Sequence, residues 1–150
     1  SESTDAANVE VFGKIVSEAK KLGLPVVGEY FPAATHRLSE EELHDEILKG
    51  CRIAAELGAD LIKTFYTCSF SEVTASCPVP ILGLGAEKTP KQVQALELAE
   101  RIVRDGGRGV VFGRNAVQVA DPATFQRALC SVVKDGVSAA EAAARHSLRD

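Results

Sequence analysis

Lys63 stands inside an apolar run, Asp60-Leu61-Ile62-Lys63-Thr64-Phe65. Successive side chains of a strand alternate between its faces, so Leu61, Lys63 and Phe65 share one side. Both faces of a parallel sheet are covered, so the ammonium is expected to be largely removed from water. Desolvation disfavours the charged form of a lysine. A neutral amine is what attack on a ketone or aldehyde requires, and the product is a Schiff base. The alternative is a strand-end lysine whose long side chain reaches solvent.

Glu29 is the second unusual residue, a carboxylate in the apolar run Pro25-Val26-Val27-Gly28-Glu29-Tyr30-Phe31. Val27, Glu29 and Phe31 share one face, Val26, Gly28 and Tyr30 the other. A carboxylate beside a strand lysine pairs with it or moves protons for it; one at a strand end also serves simply to cap a loop. Two glycine-bearing loops follow later strands: Gly83-Leu84-Gly85-Ala86 and Gly113-Arg114-Asn115. Glycine lets backbone amides approach an anion, and arginine offers a fork for phosphate oxygens. Glycine after a strand is also commonly just a turn.

The elements that position these residues repeat one pattern. Val9, Phe12, Ile15, Val16, Ala19 and Leu22 recur at helical spacing, and Gly23 stands where a left-handed cap belongs. Ser39 with Glu42 forms a capping box that opens a helix over 40–57, ending at Gly58. The lysine strand follows, then a short helix over 69–76 and a strand over 79–83, with Pro80 at the start of its pairing. Thr89 and Pro90 have the types expected at the N-cap and first position of the next helix. That helix ends at Gly106-Gly107 and leads to the strand 109–112. Asp121-Pro122 opens a helix to about Lys134, and Ser138 with Glu141 opens the last one. Short apolar strands alternating with helices predict a parallel α/β sheet. Spacing alone leaves two architectures open, a doubly wound sheet and part of a (β/α)8 barrel.

Composition narrows the classes. The 150 residues suit a single α/β unit over 1–150, and 45% hydrophobic with 25% charged residues is ordinary for a soluble globular protein. A net charge of −4 argues against general nucleic-acid binding, which needs a basic face. No apolar run approaches the ~18 residues of a membrane span, and no secretory signal is visible. Cys51, Cys68, Cys77 and Cys130 have irregular spacing without a C-x-x-C pair, so free thiols in a reducing cytoplasm are expected rather than a zinc site. His36 sits in a loop and is a candidate to line a site; His44 and His146 fall in helices and are expected to be exposed. The chain has no methionine, so Ser1 is expected to follow processing, cleavage or further chain.

With these residues in place, the chain resembles the class I (Schiff-base) aldolases of the archaeal fructose-bisphosphate aldolase type, in the deoxyribose-phosphate aldolase superfamily. The stretch Ala54-Ala55-Glu56-Leu57-Gly58-Ala59-Asp60-Leu61-Ile62-Lys63-Thr64-Phe65-Tyr66-Thr67 is similar to the segment ending in that family's Schiff-base lysine, which falls on Lys63. The runs 79–89 and 109–118 are similar to its strand-7 and strand-8 phosphate loops. The resemblance implies a TIM-barrel fold, (β/α)8, with this chain matching the C-terminal half, strands 5 to 8. It implies phosphate contacts at Gly83, Gly85, Ala86, Gly113 and Arg114, and no metal or organic cofactor.

Two departures matter. Where the family typically carries an acid/base tyrosine, this chain has Phe31, which leaves Glu29, or the adjacent Tyr30 if the strand end bulges, to move the proton. The strand-7 loop, usually serine-glycine-glycine, reads Leu84-Gly85-Ala86. A full barrel takes about 250 residues, so an upstream half is apparently missing. A lone half-barrel exposes two sheet edges, and association with that half or with copies of itself is expected. The implied activity is a carbon–carbon lyase acting on a phosphorylated keto-sugar. Three other readings stay open: a non-catalytic half-barrel binding sugar phosphates or a partner, a phospho-thiolase-type acyl transferase, and a flavodoxin-like module.

Overall fold

A computed structural model describes residues 2–33 and 35–148. The chain divides into two compact units, Ser1–Pro80 and Ile81–Asp150.

The first unit begins with α1 (Glu2–Lys21), continues through β1 (Val27–Glu29) and a 3-10 turn (Thr35–Arg37) to α2 (Glu40–Glu56), and ends with β2 (Leu61–Thr64) and α3 (Phe70–Ser76). Gly23 closes α1 region with φ 67°, as its position predicts. The apolar stripe read along α1 is narrower than expected: Val16 is buried, whereas Val9, Ile15 and Leu22 are exposed. Only the side of α1 near Val16 meets the fold, and Gly58 leaves room for it, since a Cβ there would come within 2.9 Å of Val16 Cγ1.

The capping box of α2 forms in both directions. Glu42 N–H donates to Ser39 Oγ at 3.1 Å, and Ser39 N–H donates to the Glu42 carboxylate at 2.8 Å. This helix buries His44, Ile47, Gly50 and Cys51. β1 and β2 run parallel, with Val27 opposite Leu61, Gly28 opposite Ile62 and Glu29 opposite Lys63. Ile62 and Thr64 are fully buried, and with Phe70 and Val73 they form the core of this unit.

The second unit runs β3 (Ile81–Leu84), α4 (Gln92–Arg104), β4 (Gly109–Val111), a short α5 (Arg114–Val117), α6 (Pro122–Asp135) and α7 (Ala139–Arg145). β3 and β4 are parallel, with Leu82 opposite Gly109 and Leu84 opposite Val111. Leu96, Ala99, Phe125, Ala128, Val132 and Ala142 build its core. The start of α4 differs from the sequence expectation. Lys91, not Thr89, is the N-cap, and Thr89 and Pro90 lie outside the helix. The cause is a competing partner: the N–H and hydroxyl of Thr89 lie 2.7 and 3.1 Å from Asn115 Oδ1. Asp121 and Ser138 cap α6 and α7 as expected, their side chains accepting from Thr124 and Glu141 N–H.

Two stability predictions follow from local geometry. At an ordinary helix position Gly→Ala gains about 1 kcal/mol. At Gly50 the added Cβ would fall 2.2 Å from Tyr30 Cδ1, and overpacking of this kind costs about 1–3 kcal/mol. Gly50→Ala is therefore expected to lower the denaturation midpoint, and adding Tyr30→Ala to restore part of the loss. The Thr124 hydroxyl and N–H bonds to Asp121 hold its carboxyl below its ordinary value of 3.8. A folded pKa below the unfolded one means that this stabilisation is present above 3.8 and lost as pH falls through the folded value. Asp121→Ala is expected to melt earlier at pH 7, with the gap to the native protein closing on acidification.

Candidate active site

The parallel register places Glu29 directly beside Lys63 on one face of the β1–β2 pair. Lys63 Nζ donates to Glu29 Oε1. Within the first unit the ammonium is only partly removed from water. The Lys63 and Glu29 side chains keep 27% and 41% exposure, because no layer of the first unit covers this face; Val27 and Phe31 on it are 52% and 51% exposed. Two aromatic rings flank the pair. Phe31 and Phe65 meet edge to face with centroids 5.0 Å apart. Lys63 Nζ lies 5.9 Å from the Phe31 ring centroid, a cation–π contact of about 0.5–1 kcal/mol at an exposed site. The face thus holds the lysine, its carboxylate partner and two aromatic rings.

Tyr30 is not part of this group. Its hydroxyl donates to Glu46 on α2 at 2.9 Å, and its ring lies over Gly50. Strand alternation carries Tyr30 to the helix side while Glu29 and Phe31 share the side of Lys63.

In the second unit the glycines of the loop after β3 have separate roles. Gly83 lies within β3 and is buried, and a Cβ there would come 2.3 Å from Ile102. Its lack of a side chain lets α4 pack on the strand. Gly85 is also buried, with Phe112 2.8 Å and Asn115 3.1 Å from a would-be Cβ. Ala86, at φ 48°, takes the left-handed conformation that glycine normally fills. Gly113 precedes α5 and is open around its Cα. Arg114 Nη2 donates to Ala86 O at 3.0 Å, so the arginine holds the β3 loop.

Two polar residues matter more than their sequence positions suggest. Asn115, 2% exposed, donates through Nδ2 to Gly85 O at 2.8 Å and Glu87 O at 2.9 Å while Oδ1 accepts from Thr89. No local pattern marks it, because its partners are backbone groups 26 to 30 residues away. His44, expected at the surface, is 8% exposed. Its Nδ1 lies 2.9 Å from Thr67 Oγ1 on the loop leaving the lysine strand, and its Nε2 is 3.5 Å from the Glu72 carboxylate. Its spacing to Ile47 and Cys51, three and seven residues on, already places it on the buried stripe of α2. His36 is exposed, and His146 Nε2 lies 3.1 Å from Ser131 Oγ.

All four cysteines are free thiols, with Cys51 and Cys77 buried and Cys68 and Cys130 exposed. Burial pushes the Cys51 thiol up to about 11, which makes it a packing group. Among the described residues no three His, Cys, Asp or Glu side chains are grouped to hold a metal ion, and no helix is long and apolar enough to cross a membrane.

A family model described as DeoC/LacD family aldolase matches residues 1–119. A relative from Enterobacter sp. (strain 638), named 3-hydroxy-5-phosphonooxypentane-2,4-dione thiolase, is 36% identical over 132 residues, covering 86% of this chain and 42% of its own. An archaeal fructose 1,6-bisphosphate aldolase structure superposes with a TM-score of 0.75 at 32% identity, over 83% of this chain and 51% of that one. A Schiff-base-forming fructose-1,6-bisphosphate aldolase gives 0.76 at 34% identity over the same shares. The fold is therefore that of the barrel-type aldolases, and the chain spans about half the length of the proteins it matches.

A left-handed backbone costs an L-residue roughly 1–2 kcal/mol, against about 0.5–1 kcal/mol of extra chain entropy for glycine. Ala86→Gly is expected to raise stability slightly, by up to about 1 kcal/mol in the denaturant midpoint.

Proposed function

Because the chain belongs to the DeoC/LacD aldolase family, we propose that its protein is a Schiff-base aldolase that cleaves or forms a carbon–carbon bond in a phosphorylated keto-sugar. The observation that carries this reading is the Lys63–Glu29 pair, set side by side by strand register and flanked by Phe31 and Phe65. Glu29 takes a proton from the Lys63 ammonium. The free amine adds to the substrate carbonyl, and loss of water leaves an iminium. Glu29, which gave up its proton in the loss of water, removes the proton of the hydroxyl two carbons from the iminium carbon; the positive nitrogen accepts the electron pair of the breaking carbon–carbon bond, so an aldehyde departs and an enamine remains. Protonation of the enamine carbon and addition of water release the ketone product and regenerate Lys63.

Glu29 carries this proton traffic, since Phe31 has no ionisable group and Tyr30 is engaged by Glu46. The substrate phosphate is assigned to the loops after β3 and β4, through Gly85, Ala86, Gly113 and Arg114; Gly83 contributes packing. No metal or organic cofactor enters these steps. The exposed apolar residues Val27 and Phe31 are the surface that the remainder of a barrel, or another copy of the chain, would cover.

A second reading is acyl transfer on the same lysine, supported by the 36% identity to a relative named as a thiolase of a phosphorylated dione. Both readings require a covalent adduct at Lys63. Incubation of the full protein with dihydroxyacetone phosphate, borohydride reduction and peptide mass mapping is expected to place the adduct on Lys63 and to find none in Lys63→Ala. Glu29→Gln is expected to slow adduct formation by roughly 10²–10⁴-fold, the usual worth of positioned acid–base catalysis. An unlabelled Lys63 would overturn the assignment and leave non-catalytic sugar-phosphate binding. Release of a free aldehyde, as opposed to an acyl group passed to a thiol, separates the lyase from the transferase.

A further inference from the structure

Three successive carbonyls of the loop after β3 point at two neighbouring side chains. Gly85 O and Glu87 O accept from Asn115 Nδ2, and Ala86 O between them accepts from Arg114 Nη2. In a planar trans peptide the C=O of one residue and the N–H of the next point in opposite directions; the described residues contain no cis bond. Each carbonyl held by a side chain turns the N–H of the following residue, Ala86, Glu87 or Lys88, away from that side chain. The left-handed φ of 48° at Ala86 supplies the alternation of backbone hand that lets consecutive amides converge on a concavity for anions. The arrangement is built in rather than induced. Asn115 is 2% exposed and has both donor hydrogens and its acceptor oxygen in use. A buried amide satisfied in this way is costly to reorient.

We propose that Asn115 is a positioning residue that presets the amides of Ala86, Glu87 and Lys88 as the phosphate-binding cradle. Arg114 works with it by clamping Ala86 O. This rests on the assignment of the substrate phosphate to these loops and adds which atoms take it and what holds them. It also accounts for Ala86 standing where glycine is the easier residue, because the side-chain clamp supports a conformation that the backbone alone disfavours. The loop does not need the flexibility of glycine if its carbonyls are tied down.

The test is titration of the full protein with inorganic phosphate, followed by ¹H–¹⁵N amide shifts. Saturable shifts concentrated at Ala86, Glu87 and Lys88 are expected. Asn115→Ala, which removes all four contacts, is expected to weaken phosphate at least ten-fold. Asn115→Asp, which keeps the oxygen that accepts from Thr89 but sets a carboxylate against two carbonyls, is expected to weaken it as well. Far-UV circular dichroism establishes that the variants are folded. Unmoved amides at phosphate saturation overturn the proposal whether or not the variants fold, and so does native-like phosphate affinity in a folded Asn115→Ala. Borohydride trapping of dihydroxyacetone, which carries no phosphate, reports on Lys63 alone. An adduct without phosphate binding sinks the cradle and spares the Schiff-base reading; phosphate binding with no adduct from either ketone does the reverse.

Discussion

Asp60 and Val26 exchange two hydrogen bonds where β1 and β2 begin. Val26 N–H donates to the Asp60 carboxylate at 2.7 Å, and Asp60 N–H donates to Val26 O at 2.9 Å. This clasp pins a register in which Val27 faces Leu61 and Glu29 faces Lys63. A slip of one residue would send every side chain of β1 to the opposite face. Tyr30 would then take the place of Glu29 beside Lys63, and the carboxylate would point at α2. Gly50 guards against that from the other side, since only a residue without a side chain there accepts the Tyr30 ring. Strand register, one side-chain cap and one helical glycine together decide which group meets the amine.

The second unit depends on the same kind of constraint but achieves it with side chains rather than a ladder. Its two strands end together, and Asn115 and Arg114 tie down the chain that leaves β3. One carboxamide ties Gly85, Glu87 and Thr89, and the guanidinium beside it ties Ala86. The cost is that Thr89 is lost to α4 as a cap, and the helix starts later, with Gln94 accepting from Lys91 N–H at 3.0 Å. Local capping preference contributes about 1 kcal/mol, less than several bonds made by a buried amide.

What could be read in the sequence follows from which rules are local. Ser39–Glu42, Asp121–Pro122 and Ser138 marked their helix starts because a cap and its partner lie within three residues. The two-residue repeat groups Glu29 with Phe31 and, separately, Lys63 with Phe65; that the two sets share a face comes from the strand register. Three things were not legible. The exposure of Lys63 depends on what covers its face, which no strand pattern contains. Gly83 and Gly85 look alike in a glycine-rich loop, yet Gly83 is set by Ile102 on α4 and Gly85 by Phe112 and Asn115. Asn115 was invisible because its partners are carbonyls distant in sequence. His44 is a residue whose usual surface preference conflicts with its spacing to Ile47 and Cys51, and in the fold the spacing prevails.

The chain spans about half the length of the proteins it matches, and the openness of the Lys63 face is a property of that half. A lysine sealed in an apolar interior is readied for attack by the cost of keeping its charge out of water. Within the first unit Lys63 keeps 27% side-chain exposure and a carboxylate partner, and an opposite charge this close favours the ammonium form. The position of Glu29 relative to Lys63 is dictated by backbone pairing rather than by loose side-chain packing. Phe31 fits the same logic. It occupies the face without offering a competing donor, and its edge-to-face contact with Phe65 builds an apolar wall beside the ammonium. Phe31 brings no hydroxyl to this face, so the ionisable groups that strand register sets side by side there are Lys63 and Glu29.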